Sequence, residues 1–295
     1  MKQSIKQPLQ PLSLKSKVIA TIVLIAIYPI ILMMILGYFN YANVLEDRFI
    51  KSNTEELNMT TNYINKDIAE MDEFITTLLG DQGFYDLTRS SSMNDASALA
   101  TYSFKVQIER YLNSVVYSNR DFDSGGIIFL GSGQMFYESE RTGIVNIDSI
   151  PKDKIMDIFY EDKISSGYYI ERSGKEISIY LARKVLDKER FQPFAIMFFR
   201  IDPRYMASIM GESKIENPTS TFMVTADGMI VSQRINSVSS TVADGLKLYQ
   251  LKDGQYEKSY QGKDYYVVVT TSKAMGFRII SVTDKELLMA DMRKI

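Results

Sequence analysis

The chain contains no cysteine, no histidine and no tryptophan. Without cysteine it has no disulfide framework, no thiolate nucleophile and no sulfur-ligated metal. Without histidine it lacks the commonest general base, and a Ser-His-Asp triad, HExxH zinc chemistry and a phosphorylated histidine are all excluded. Proline is scarce, at seven in 295 residues. Residues 42–79 hold neither proline nor glycine, and residues 18–39 hold no charge. The tail before them has no acid, only Lys2, Lys6, Lys15 and Lys17. The rest is ordinary globular composition, 45% hydrophobic and 24% charged.

The uncharged run, "VIATIVLIAIYPIILMMILGYF", is long enough to cross a membrane. As a helix rising about 1.5 Å per residue it spans roughly 33 Å, against a hydrocarbon core of about 30 Å. Thirteen of residues 18–39 are Val, Ile, Leu or Phe. At about −0.3 to −0.6 kcal/mol each, insertion gains roughly −4 to −6 kcal/mol. A cleaved signal peptide is the rival reading, but its apolar region should be about 7–15 residues long and end at a small-x-small site. This run is longer and continues into Gly37-Tyr38-Phe39-Asn40-Tyr41, so it reads as an uncleaved anchor. Lysines precede it, and Glu46, Asp47 and Arg48 follow. The positive-inside rule therefore puts residues 1–17 in the cytoplasm and the chain from about residue 40 outside. The net charge is −2, and −6 once the four tail lysines are set aside. Such a balance gives no electrostatic footprint for nucleic acid.

Residues 40–80 read as one long stalk helix. Its outer half carries an apolar stripe, Leu57, Ile64, Ile68, Met71, Ile75 and Leu78, on one face. The stripe is either a dimer seam or a face that packs on a following domain, and it is too short for a coiled-coil assignment. Gly80-Asp81 ends the helix, with a polar loop expected through Asn94. Residues 95–118 form a second helix with Asn94 or Asp95 as its cap. The period then changes to two. "GGIIFL" and "QMFYES" flank Gly131-Ser132-Gly133, and "GYYIER" and "EISIYLARKV" flank Ser173-Gly174-Lys175. Both are hairpin signals. Residues 151–162 between them are helix-like. "PFAIMFFRI" is a fifth strand, apolar on both faces and so central. Asp202, Pro203 and Gly211 cap, open and close the next helix.

The remainder repeats the plan on a smaller scale. A hairpin turns at Asp227-Gly228 and a second at Gln261-Gly262, "GFRIISV" is the final strand, and Thr283 to Glu286 has capping-box form before a terminal helix. The fold class is therefore α+β: a transmembrane helix (18–39), a stalk (40–80), a larger module (81–210) and a smaller one (211–295), each with a five-stranded antiparallel sheet. "GESKIENPTS" is the linker.

Signals for catalysis are weak. Gly131-x-Gly133 lacks the third glycine of a dinucleotide fingerprint. Ser149-Ile150-Pro151-Lys152 fits S-x-x-K, but a serine before Pro151 is more simply a helix start. Asp121-x-Asp123-x-Gly125 imitates the start of a calcium loop, yet position twelve would be Ser132 and the glycine comes one residue early, so a solvated turn is expected. Nothing calls for a metal or a cofactor, and the chain is not expected to be an enzyme.

At this point the chain resembles a known family. "EISIYLARKVLDKERFQPFAIMFFRIDPRYM", "FMVTADGMIVSQ" and "KDYYVVVTTSKAMGFRIISVTDKEL" look like the double Cache (dCache) sensor region of YesM-type bacterial sensor histidine kinases, over roughly residues 15–295. The resemblance implies two PAS-like modules, a ligand-sensing role in signal transduction, a binding site in the membrane-distal module (81–210), and a homodimeric receptor. It also implies a fragment truncated before a second membrane helix, a HAMP linker and a kinase. Cache domains that bind amino acids carry Arg-x-Trp-Tyr before the second hairpin. Here that region reads "NIDSIPKDKIMDIFYEDK", so that mode of recognition is not expected. The candidate ligand-binding residues are Phe129, Tyr137, Tyr168, Tyr180 and Arg183. Tyrosine offers an apolar face and a hydroxyl, which suits a small polar solute such as a sugar. A solute-loaded binding protein is the other partner considered. Tyr180 and Arg183 are three apart on one strand and point to opposite faces unless a bulge intervenes, which favours Tyr180. Two further readings stay open: a chemotaxis or cyclic-dinucleotide receptor with the same sensor, and an anchored surface enzyme or scaffold.

Overall fold

The computed structural model describes residues 14–90, 98–139, 150–161, 165–173, 176–211 and 219–292. The expected cap at Asn94 or Asp95, Ser149, the Gly174-Lys175 turn and most of the linker lie outside them, as do Lys2 and Lys6. Helix α1 runs over Leu14–Gly80. Among the described residues it is the one helix long and apolar enough to cross a membrane. The chain divides into two compact units, residues 1–52 with 290–295, and residues 53–289. In the first unit, Ile22, Ile25, Met33, Met34 and Leu36 all project into the surroundings, as lipid-facing side chains do.

In the second unit the outer part of α1 is amphipathic, and its stripe is buried as the spacing predicts: Leu57, Ile64, Ile68, Met71 and Ile75 are all under 7% exposed. Asp81 then stops α1 and starts α2 (Gln82–Ser90), accepting a hydrogen bond from the Phe84 amide at 2.7 Å. The polar loop expected here is thus a short helix, because Phe84 and Tyr85 have a core to enter. Helix α3 (Ala98–Ser118) leads to the first sheet. Its strands are β1 (Phe122–Phe129), β2 (Met135–Ser139), β3 (Ser166–Ser173), β4 (Glu176–Leu186) and β5 (Pro193–Ile201), ordered β2-β1-β5-β4-β3 and antiparallel throughout. Strand β5 is central, as its two-sided apolar pattern requires. Between β2 and β3 lie α4 (Lys152–Met156) and a wider π turn, Asp157–Glu161.

Helix α5 (Pro203–Gly211) starts on Asp202, whose Oδ1 accepts from the Arg204 amide at 2.8 Å. The second sheet repeats the first: β6 (Thr219–Val224), β7 (Ile230–Arg234), β8 (Gly254–Tyr260), β9 (Lys263–Thr271) and β10 (Arg278–Asp284), ordered β7-β6-β10-β9-β8, with α6 (Ser240–Gly245) between its hairpins. The β8–β9 turn places Gln261 and Gly262 at φ 52° and 80°, the left-handed pair a two-residue hairpin needs. Helix α7 (Lys285–Met292) follows. Its cap is Asp284, which accepts from the Glu286 and Leu287 amides at 3.0 and 3.2 Å. The capping box at Thr283 is therefore corrected by one residue. β10 runs through Asp284, and the fully buried Thr283 shares a hydrogen bond with Thr219 at 2.8 Å across the sheet.

Candidate functional site

The first sheet separates two environments. On one face Ile127, Phe129, Ile179, Leu181, Met197 and Phe199 pack with the α1 stripe and α3 in the main core. On the other, Ile128, Tyr180, Ala182, Ile196 and Phe198 pack beneath Ile155 and the π turn's Phe159. Alternation along the strands makes this division, and the site is built on the second face.

Its centre is a buried ion pair. Arg200 Nε donates to Asp123 Oδ1 and Nη2 to Oδ2, both at 2.7 Å. Strict alternation would aim Asp123 at the helices. However, β1 pairs Phe122 with Ile201 and then Ser124 with Arg200, skipping Asp123, and this bulge turns its carboxylate to Arg200. The Asp123 side chain is 0% exposed and that of Arg200 17%. Burial alone would loosen the Arg200 proton. The hydrogen bonds and charge of Asp123 outweigh it and hold the guanidinium above its ordinary value. Ser124 Oγ donates to Asp123 Oδ1 at 3.0 Å. Asp123 therefore belongs to neither a calcium loop nor a solvated turn.

Two phenols flank the pair. Tyr180 stands opposite Arg200 in the ladder. Tyr137 lies opposite Gly126, where a Cβ would come within 2.5 Å of the Phe198 ring. Tyr137 stacks on Phe198 at 6.3 Å, Tyr180 meets Phe198 edge-on at 6.1 Å, and Tyr169 stacks on Tyr180 at 6.5 Å. Burial pushes Tyr137 and Tyr180 above the ordinary tyrosine value. The Ser124 hydrogen bond tempers Tyr137, and the Arg200 charge tempers both. Both stay neutral donors at physiological pH. At the rim, Lys154 donates to both oxygens of Glu171 at 3.0 Å, and Tyr169 also bonds Glu171. The roof is a π turn, an irregularity that recurs at functional sites.

Of the residues expected from sequence, Tyr137 and Tyr180 share this face, whereas Phe129, Tyr168 and Arg183 lie on the other. Phe129 packs edge-on with Phe104 and Phe136. Tyr168 bonds the Met275 carbonyl oxygen and packs edge-on with Phe277, tying the first module to the second. Arg183 pairs with Asp72 of α1 at 2.9 Å. The residues missed were Arg200, Asp123, Phe159 and Phe198. Arg200 could have been found, since a charge in "FFRI" on a central strand needs a buried partner. Asp123 could not, because a bulge sets its direction.

The pair cancels its own charge. The polar groups gathered on this face are the hydroxyls of Tyr137, Tyr180 and Ser124 and the Arg200 guanidinium, set among the rings of Phe198 and Tyr169. Among the described residues no group of three acidic side chains is placed to hold a metal ion.

No family model matches the chain, and no curated protein matches its sequence. Solved structures do resemble it. The ligand-binding domain of Mlp24 with asparagine is 16% identical, with a TM-score of 0.56, and the match covers 83% of this chain and 97% of that one. The ligand-binding domain of the Campylobacter jejuni chemoreceptor Tlp3 in complex with L-valine is 12% identical, with a TM-score of 0.55 over 84% and 97%. The extracellular domain of the putative histidine kinase mmHK1S-Z3 is 12% identical, with a TM-score of 0.53 over 82% and 98%. At such identities the likeness is one of fold: a long N-terminal helix carrying two tandem PAS-like (Cache) modules, each with a five-stranded antiparallel sheet.

Proposed function

We propose that the chain is the extracellular sensing region of a membrane signalling receptor, of the YesM-type two-component kinase kind. Its N-terminus is cytoplasmic, its modules are outside, and it has no catalysis of its own. It binds a small, neutral, polar solute such as a sugar on the outer face of the first sheet, and works as a homodimer. One observation carries the reading: the buried Asp123–Arg200 pair between Tyr137 and Tyr180, beneath a π turn. A polar cluster this deep in an apolar module is what a solute pocket contains, and the fold is that of proteins described as ligand-binding domains.

Because Arg200 and Asp123 satisfy each other, a neutral guest costs less than a zwitterion, which would have to open the pair. An amino acid is the second reading, favoured by the neighbours solved with asparagine and L-valine. A chemotaxis output fits the same sensor. The test uses the full chain in nanodiscs, with sugars and amino acids screened by thermal shift. A sugar hit weakened at least five-fold by both Tyr137→Phe and Tyr180→Phe supports the reading. Binding indifferent to both variants refutes it, and an amino-acid hit that depends on Arg200 transfers support to the second reading.

A further inference from the structure

A second polar feature lies far from the first sheet's outer face. α1 carries Thr54, Asn58, Thr61 and Asn65 at steps of four, three and four, a single helical face, turned toward β8 and β9. The same helix farther along buries Ile64, Ile68, Met71 and Ile75 against its neighbours. Here it meets the sheet through a groove of about 800 Å³, within the range of roughly 300–1,000 Å³ typical of solute sites.

The groove has ends and a floor. Gln255 donates to Thr54 at 2.9 Å at one end. At the other, Asn65 Oδ1 accepts from Ser272 at 2.7 Å and from the Ala274 amide at 3.1 Å. The buried hydroxyls of Thr61 and Thr270 bond each other in the floor. These ties hold helix and sheet at a fixed separation without closing the space between them. Asn58 and Asn62 remain exposed on the helix wall. Asparagine is a poor residue for a helix interior, and neither contributes to the core. Packing therefore gives no reason for amides at these two positions.

We propose that this groove is a second binding site, for a neutral polyhydroxylated solute of mono- or disaccharide size. Its polar lining is mostly amide and hydroxyl, with Val268 and Val269 of β9 beneath and Asp253 and Lys273 as its charged residues. Asp253 already accepts from the Thr271 hydroxyl. Such a wall offers no net field to an ion. Each asparagine amide presents a donor and an acceptor side by side, the complement of adjacent hydroxyls on a polyol. A guest held there would bridge α1 and β8–β9, adding cross-links to those made by Gln255 and Asn65. The inference is independent of the site proposed on the first sheet.

Saturation-transfer NMR on the full chain in nanodiscs tests it, with glucose, trehalose and sorbitol as probes. The variants are Asn58→Trp, which fills the groove from an exposed helix position, Asn62→Ala, which removes one amide, and Tyr180→Phe on the first sheet. The expected result is transfer to at least one probe that persists in Tyr180→Phe, falls at least five-fold in Asn58→Trp and about three-fold in Asn62→Ala. Circular dichroism checks Asn58→Trp, and if its helix content falls, Asn62→Ala decides. No transfer to any probe, transfer unchanged by the groove variants, or transfer abolished by Tyr180→Phe alone overturns the proposal. A first-sheet site that fails its own test leaves this outcome unaffected.

Discussion

Asp123→Asn should be among the most damaging single-atom changes in the exterior region. It leaves the Arg200 charge in place and removes the partner that holds it at 2.7 Å through two bonds. Orphaning one member of a buried pair costs about 3–5 kcal/mol. Arg200 keeps 17% of its side-chain surface, so water can recover part of that, and about 2–4 kcal/mol is expected. At about 2–4 °C per kcal/mol for a domain of this size, the midpoint should fall by roughly 5–15 °C. Arg200→Met leaves the fully buried Asp123 with only the Ser124 hydroxyl, and should sit at the upper end of the range. The double variant Asp123→Val with Arg200→Met buries no charge and should recover much of the loss, giving a coupling of about 2 kcal/mol or more. Urea titrations of the four proteins followed by circular dichroism give the cycle. Single variants that each cost under about 1 kcal/mol and simply add would refute the assignment of a desolvated pair.

Tyr168→Phe should remove the bond to the Met275 carbonyl, cost about 1 kcal/mol, and speed amide exchange around residues 272–278 while leaving β4 unchanged. Asp284→Ala should cost about 0.5–2 kcal/mol of α7 stability and raise exchange from residue 286 onward, whereas Thr283→Ala should disturb the β6–β10 ladder instead. Tyr111, stacked on Phe84, has its hydroxyl raised to about 12, first by burial and then by the Asp81 charge. A raised value means its contribution is intact below about pH 10 and is lost as pH climbs toward 12. Alkaline unfolding should therefore begin in that window, and Tyr111→Phe should shift it upward. An unmoved transition would count against it.

The fold was legible because each of its signals is local. Glycine or asparagine at hairpin turns, alternation in "KDYYVVVT" and a two-sided apolar run in "PFAIMFFRI" all report on neighbours in the chain. The capping error at Thr283 arose because T-D-K-E satisfies the box one residue early, and only the length of β10 decides which residue is the cap. The site was half legible. Tyr137 and Tyr180 follow from their strands. Tyr168 was drawn in because it is as aromatic as Tyr169, although parity puts the two on opposite faces. Arg183 was already suspect on the same ground, and its partner Asp72 lies 111 residues away on another element. Asp123 depends on a bulge, which no propensity marks.

How a guest on the first sheet could be felt by the second follows from β5. Its residues alternate between the two environments: Phe198 and Arg200 face the candidate site, Met197, Phe199 and Ile201 the main core. Phe199 stacks on Phe122 at 4.9 Å, and a Cβ on Gly125 would come within 2.5 Å of its ring. A strand packed this closely on both sides cannot shift on one face alone. Two routes leave it. The main core also contains Met223, Val268 and Ile279 of the second sheet, so α1 and both sheets share one apolar cluster. The other route is covalent. Arg200 lies two residues before Asp202, the cap of α5, and the Met206 carbonyl of α5 accepts from Ser232 of β7 at 3.3 Å. Displacing Arg200 therefore strains the start of α5 as well as the core behind β5. A solute that opens the Asp123–Arg200 pair would act on both routes, whereas one that only fills space above Phe198 would act on the core alone.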